Sequence, residues 1–339
     1  MNDGAAEALV VPAATEVAVR PYRAPAWLRG GHAQTIWPFL LPRIAVCFRR
    51  ERVDVPDGDF WNFDWVDTDE NGDEKPLVVL LHGLEGGSDS HHSRAVMAEV
   101  ARRRWRGVIP HFRGCGGEPN RLPRAYHSGD FAELDLMFAA IRARVPPGTT
   151  LYALGVSIGG SVLLNWLGRH RRDAASIVTA AAAMSTPLDL MSAGVSIDQG
   201  LNRIYVRHFL GTLRPKSAAM ARRFPGLLDE SKVHRARTLY EFDDAVTAPL
   251  HGFAGAADYW RRASCKPWLR GIAVPTLVLN AKNDPFVPRA SLPTAREVSS
   301  DVLLDQPDEG GHAGFLSGTF PGTLDWPARR LLDFFLHRR

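Results

Sequence analysis

Three observations predict an α/β architecture with a mostly parallel central sheet flanked by helices and interrupted by a helical insertion. Short apolar runs of strand length alternate with segments of helical period between Leu77 and Ala182. The run Leu77–Leu81 is continuously apolar, as a strand buried on both faces requires. The alternation stops near Pro187, gives way to helical pieces and loops up to Cys265, and resumes at Pro275–Asn280.

Each element follows from its own pattern. Glu51–Val55 and Asn62–Val66 read as strands separated by the turn Pro56-Asp-Gly58. Leu77–Leu81 follows as a central strand. Ser90–Arg103 has Val96, Met97, Val100 and Ala101 at helical spacing, and Gly107–His111 is the next strand. Gly129–Ala143 repeats the helical pattern with Phe131, Leu134, Met137, Phe138 and Ile141. Leu151–Leu154, Ile158–Leu167 and Ser176–Ala182 read as strand, helix and strand. After the insertion come strands at Pro275–Asn280 and Asp301–Leu304 and a closing helix near Leu324–Leu336. The expected division is a loose arm at 1–21, a first core part at 22–186, a helical cap at 187–265 and a second core part at 266–339. Residues 22–42, rich in aromatics and prolines, suit an irregular segment packed on the core. An insertion between strands of such a sheet is expected over their carboxyl ends, where α/β folds place their sites.

Composition narrows the function. The chain has 339 residues, 45% hydrophobic and 23% charged, which is globular. The net charge of +4 is carried by scattered arginines that gather at helix ends, which argues against nucleic-acid binding. Cys47, Cys115 and Cys265 are odd in number and have no metal-ligand spacing, so a reducing compartment is expected. The acidic N-terminal start lacks a signal-peptide pattern, and no apolar run reaches membrane-spanning length. A cytoplasmic protein is the expectation.

The segment Gly155-Val-Ser-Ile-Gly159 carries the chemistry. It follows a short strand and opens a helix, the context in which a G-x-S-x-G turn lifts a serine hydroxyl clear of a sheet. A serine nucleophile needs a base, and His312 stands in a glycine-rich loop after the last strand. The base needs an orienting carboxylate, and Asp284 stands a few residues past Thr276–Asn280. Separately, each has a bland reading: a helix-starting serine, an exposed histidine, an Asp turn. Together they stand in the chain order Ser, Asp, His, each after a strand, and that agreement selects Ser157, Asp284 and His312 as a triad. The loop His82–Gly87 is placed to supply an oxyanion hole, with the N–H groups of Leu84 and Ile158 as donors. His82 is read as a brace for that loop. The pair His91-His92 has no carboxylate at ligand spacing, so no metal is expected, and no cofactor motif is present. The Gly-rich stretch Arg113–Gly117 reads as a tight loop near the cleft, with Cys115 a small packing residue.

These residues resemble the α/β-hydrolase superfamily, and within it the YheT-like branch (the AB hydrolase 4 family). The resemblance runs from about residue 22 to the C-terminus. Its signals are Trp27–Ile36, His82–Gly87, Arg113–Gly117, Gly155–Gly160 and Gly310–Phe315, of which the first is the most branch-specific. By resemblance, Ser157, Asp284 and His312 take the charge-relay positions and the fold is that of an α/β-hydrolase. The expected activity is serine-dependent hydrolysis of short- to medium-chain carboxylic esters, with a small-molecule or lipid ester as partner. The alternatives are acyl transfer to an alcohol, a lipase or phospholipase at a membrane surface, and a non-catalytic binding protein. No motif in 187–265 carries over a substrate class. His32 and Gln34 are read as bracing the N-terminal segment rather than as catalytic.

Overall fold

The computed structural model describes residues 21–67 and 75–337, so the loose arm expected at 1–21 lies almost wholly outside the described residues. Eight strands form one sheet: β1 (Arg49–Asp54), β2 (Phe60–Val66), β3 (Leu77–Leu81), β4 (Arg106–Pro110), β5 (Leu151–Val156), β6 (Ala180–Met184), β7 (Thr276–Leu279) and β8 (Val302–Asp305). Their spatial order is β1-β2-β4-β3-β5-β6-β7-β8. β1 and β2 pair antiparallel at one edge, as do β2 and β4, and every other pair is parallel.

The period-2 alternation of strand side chains divides the core into two layers. Val79, Leu81, Ala153, Ala183 and Val278 face α3 (Phe131–Arg142) and α4 (Ile158–His170). Val78, Leu80, Tyr152, Leu154, Met184 and Leu279 face the other way, onto α2 (His91–Arg102) and the C-terminal helix Asp325–Leu336. Leu77–Leu81 are fully buried, which explains their unbroken apolar run.

The parallel register sets the site. Leu81 pairs with Gly155 and Val156 with Met184, so the loops after β3, β5 and β7 leave the sheet at one edge. The order of the sheet places those loops side by side, the crevice where such folds bind ligands.

Between β6 and β7 the described chain is helical: α5 (Leu190–Ile197), α6 (Arg203–Arg223), α7 (Glu230–Arg235), α8 (Leu239–Phe242), α9 (Ala248–His251) and α10 (Ala256–Ala263). These helices have an apolar core of their own, including Val206, Leu210, Val233 and Val246. Phe286, Val287 and Leu292, from the loop after β7, pack into it and tie it to the sheet.

Three elements differ from expectation. The strand expected at Ser176–Ala182 is β6 at 180–184, with 171–176 a 3-10 turn. β6 reads Ala-Ala-Ala-Ala-Met, and its place is set by pairing with β5 and β7 rather than by propensity. β5 runs two residues beyond Leu154, as far as the serine turn. The segment expected to be irregular near residue 31 holds a short helix, Gly31–Ile36.

Several histidines are buried in the neutral form. Burial holds His82 and His127 at about 3 and His91 and His251 at about 4, and drives His92 down as well. An unfolded chain takes up protons near pH 6.5 that these folded-state imidazoles refuse, so stability drops as pH falls from 7 toward 4. Asp64 acts lower on the scale. Burial alone would raise its pKa, but bonds from Arg50, His111 and Ser88 outweigh that and hold it well below the usual carboxylate range. Its contribution is present above about pH 4 and is lost as the pH falls further. The urea midpoint is therefore expected to be lower at pH 5 than at pH 7.5, with each neutral histidine contributing up to about 1.4 kcal/mol per pH unit.

Candidate active site

Ser157 sits between β5 and α4 with φ +55° and ψ −122°, a conformation rarely open to a residue with a side chain. Its neighbours make room for it. A Cβ on Gly155 would lie 2.5 Å from the Gly159 carbonyl oxygen, and one on Gly159 would lie 2.3 Å from that of Leu81. The backbone N–H of Ser157 is anchored to the Met184 carbonyl oxygen at 2.9 Å. The hydroxyl is thus fixed at the rim of the sheet.

His312 reaches it from the loop after β8. Its Nε2 lies 3.0 Å from Ser157 Oγ, and its Nδ1 lies 2.9 and 3.2 Å from the two carboxylate oxygens of Asp284. The Asp284 side chain is fully buried, and its Oδ1 also accepts the N–H groups of Phe286 (2.8 Å) and Val287 (3.3 Å). The Phe286 ring lies 4.2 Å from the His312 ring. The three residues singled out in the sequence are therefore joined in one hydrogen-bonded chain. An acidic oxygen holds one side of an imidazole whose other nitrogen faces a hydroxyl, the geometry for moving the hydroxyl proton.

The loop after β3 lies against the same hydroxyl. A Cβ on Gly83 would touch Ser157 Cβ at 3.4 Å. The N–H groups of Leu84 and Ile158 donate to no acceptor among the described residues, and both residues line the cavity that contains Ser157. His82 is buried beneath them. Its Nε2 accepts the Phe112 N–H at 3.1 Å, which leaves Nδ1 to donate to the Gly83 carbonyl oxygen at 2.8 Å. Glu85 has φ +54°, and the Tyr126 hydroxyl oxygen accepts its N–H at 2.7 Å. Lys216 of α6 pairs with the Glu85 carboxylate at 2.7 Å, linking the inserted helices to this loop.

The sequence reads His32 and Gln34 as braces of the N-terminal segment, and the structure shows what that segment holds. Thr35 Oγ accepts the backbone N–H of His312 at 2.9 Å. Gln34, fully buried, accepts the Leu316 N–H at 2.8 Å and the Tyr22 hydroxyl at 2.9 Å. Gly31 is packed so closely that a Cβ would lie 1.9 Å from the Asn283 carbonyl oxygen. His32 faces the other way, stacked on Tyr205 of α6 with its Nδ1 3.0 Å from the hydroxyl. Gln34 and Thr35 therefore brace the His312 loop, and Gly31 packs against the Asp284 loop. The available signal was the Gly-Gly pair beside two hydrogen-bonding side chains. Arg113 and Cys115 serve structure: Arg113 is buried against Asp57, Asp59 and Glu133, and burial pushes the Cys115 thiol up to about 12. No cluster of metal-ligating residues occurs among the described residues.

Two cavities meet at Ser157. One, of about 700 Å³, runs under the inserted helices. The other, of about 980 Å³, runs between the loop after β3, the N-terminal segment and α6. Because a buried N–H left without an acceptor costs about 1–3 kcal/mol, Thr35→Val is expected to lower folding stability by that amount in urea denaturation.

Comparison with known proteins agrees with this fold. The family model described as alpha/beta hydrolase fold matches residues 76–319. YheT of Escherichia coli K12, named as a candidate esterase, is 34% identical over 306 residues, covering 89% of each chain. The human phospholipase ABHD3 is 30% identical over 314 residues, covering 90% of this chain and 76% of its own. Among solved structures, Est1E of Butyrivibrio proteoclasticus with bound ferulic acid superposes with a TM-score of 0.55 at 17% identity, covering 85% of this chain and 98% of its own, a likeness of fold. The chain belongs to the α/β-hydrolase family, in the branch that holds YheT.

Proposed function

We propose that the protein is a carboxylic-ester hydrolase acting through an acyl-enzyme on Ser157. The observation that carries this reading is the bridge of His312 between Ser157 Oγ and the buried Asp284 carboxylate. In the first half-reaction, His312 Nε2 takes the Ser157 proton as Oγ bonds to the ester carbonyl carbon. The Leu84 and Ile158 N–H groups hold the oxyanion, a role worth about 3–4 kcal/mol for one donor. The carbon–alkoxy bond then breaks, and His312 passes the proton to the departing alcohol. A water repeats the sequence, giving its proton to His312 and its oxygen to the acyl carbon. Asp284 keeps the imidazole in the tautomer with Nδ1–H and offsets its transient charge.

The cavity under the inserted helices suits the acyl chain. Leu190, Ile197, Phe209, Met220, Phe242 and Trp260 wall it. Its apolar walls suit an acyl chain, and the proposed substrates are short- to medium-chain acyl esters. Ser157→Ala is expected to reduce p-nitrophenyl butyrate turnover by at least about 10⁴-fold and to abolish fluorophosphonate labelling, whereas Asp284→Asn loses about 10⁴-fold in kcat. Turnover that survives Ser157→Ala overturns the reading. Acyl transfer uses the same triad, and product analysis with added alcohol separates it from hydrolysis.

A second reading, delivery of substrate from a lipid surface, is favoured by one observation. Phe39, Leu40, Leu201, Ile204 and Phe320 are 59–71% exposed, far more than isolated packing requires. Phe39 lies beside His208 of α6, the helix that begins at Arg203 and also carries Arg207. No membrane-spanning helix occurs among the described residues, so contact would be peripheral. Sedimentation with anionic phosphatidylglycerol vesicles is expected for the wild type and is expected to weaken in Phe39→Ser/Ile204→Ser. Equal sedimentation of both proteins refutes this reading.

A further inference from the structure

The antiparallel edge of the sheet, β1 and β2, supplies no residue to the chain of Ser157, His312 and Asp284, yet it reaches the loop after β3. Arg50 of β1 stands opposite Asp64 of β2 in the register. Its Nε donates to Asp64 Oδ1 at 2.7 Å and its Nη2 to Oδ2 at 2.8 Å. His111, the residue after β4, places Nε2 2.7 Å from the same Oδ2. The last partner comes from the loop itself: the Ser88 hydroxyl donates to Asp64 Oδ2 at 2.5 Å. Asp64, Ser88 and His111 are all buried. Burial opposes charge on Asp64, and the bonds from Arg50, His111 and Ser88 outweigh it and keep the carboxylate ionised.

The loop needs such an anchor. It begins as a turn closed by the Gly86 N–H on the Gly83 carbonyl oxygen at 3.0 Å. Leu84, whose N–H is the proposed oxyanion donor, and Glu85 are its central residues, and Glu85 has φ +54°. A side chain in that region costs backbone energy, and the conformation persists only where its surroundings hold it. Before Leu84 the hold is His82, bonded to the Gly83 carbonyl oxygen, and at Glu85 it is Tyr126. After the turn, two glycines separate Glu85 from Ser88. The His111 ring packs beside the second of them: a Cβ on Gly87 would lie 2.9 Å from His111 Cε1. The chain on either side of Leu84 is therefore clamped, by His82 at one end and by Asp64 and His111 at the other.

The Ser88 bond is more than Asp64 requires. Without it the carboxylate keeps the two N–H groups of Arg50 and the His111 ring, so no buried charge is left alone. What the bond fixes is the place of the loop against the sheet, because Asp64 itself pairs with Ile109 of β4, the neighbour of β3. An oxyanion donor must stand about 2.7–3.1 Å from the anion, and a misplacement of about 1 Å can cost about 10²-fold in rate.

We propose that Asp64 is a positioning residue: through Ser88 it holds the loop after β3 so that the Leu84 N–H meets the oxyanion. The proposal rests on the ester-hydrolase reading and adds the antiparallel edge of the sheet to its machinery.

The test uses Ser88→Ala, which removes one hydroxyl and leaves Asp64 its other partners. Its kcat for p-nitrophenyl butyrate is expected to fall about tenfold, with KM within about twofold of wild type, because the contact matters in the transition state. Two ketones separate position from packing. With 1,1,1-trifluorodecan-2-one, Ser157 Oγ bonds to the carbonyl carbon, the hydroxyl proton passes to His312, and the ketone oxygen becomes an anion facing Leu84 and Ile158. Decan-2-one has the same carbon chain and binds as the uncharged ketone. Ser88→Ala is expected to weaken inhibition by the first about tenfold and to leave the second unchanged. Asp64→Asn is expected to lose at least as much kcat, and adding Ser88→Ala to it is expected to change nothing further. Ser88→Ala carries the test on its own even if Asp64→Asn prevents folding. A folded Ser88→Ala with wild-type kcat, whatever its urea midpoint, overturns the proposal and leaves the hydrolase reading standing, as does equal weakening of both ketones. Absence of Ser157-dependent turnover in the wild type overturns both.

Discussion

The site depends on how closely α4 approaches the ends of β3 and β5. Gly159 brings its backbone so near the Leu81 and His82 carbonyl oxygens that a methyl group there would fall within 2.6 Å of both. That approach forces the sharp turn at Ser157, aligns the helix N-terminus beneath the hydroxyl and sets Gly83 against Ser157 Cβ. Ser157 and the Leu84 and Ile158 N–H groups, proposed as nucleophile and oxyanion donors, are thus positioned by one steric contact between backbones. Side-chain packing adds to it without defining it. The paired strands on either side of β5 supply the rigid support that a strained residue needs.

His312, the proposed base, has a different kind of support. His312 stands on a loop with three glycines, two of them at positive φ, and such a chain has little stiffness of its own. Its order comes from outside. Thr35 takes its N–H, Ser185 Oγ takes that of Ala313 at 2.8 Å, and Gln34 takes that of Leu316. Asp284 is held by two backbone N–H groups of its own turn, and Gly31 fills the space beside it. The inserted helices touch the same machinery at two points, Lys216 on Glu85 and Tyr205 on His32. The cavity walls and the catalytic loops are therefore parts of one connected structure.

The legible parts of the chain were those whose cause is local. The glycines around Ser157 announce a turn that only glycines permit, and the apolar run of β3 announces burial on both faces. Ser157, Asp284 and His312 could be named because each follows a strand, and strand ends converge in a parallel sheet. The parts that were not legible depend on distant partners. β6 is four alanines and a methionine, and its register comes from its neighbours. Gln34 reads as a brace without a partner and Thr35 carries no signal, because the N–H groups they accept come 282 and 277 residues along the chain. The inserted helices have an amphipathic pattern but no motif, so their sequence shows burial without showing what they cover.

The hydrogen bond from His312 to Thr35 also sets a timetable. Residues 31–35 are made first, and the loop they hold is made 277 residues later. On a ribosome the serine turn, with β3, β5 and β6 already present, has all its local determinants long before its base exists. The nascent chain therefore carries the serine turn without its proposed base while the 128 residues from the end of β6 (Met184) to His312 are made. The proposed triad is complete only when the two distant stretches of the chain meet, so the bond that orders the histidine loop also reports that the polypeptide has been made through β8.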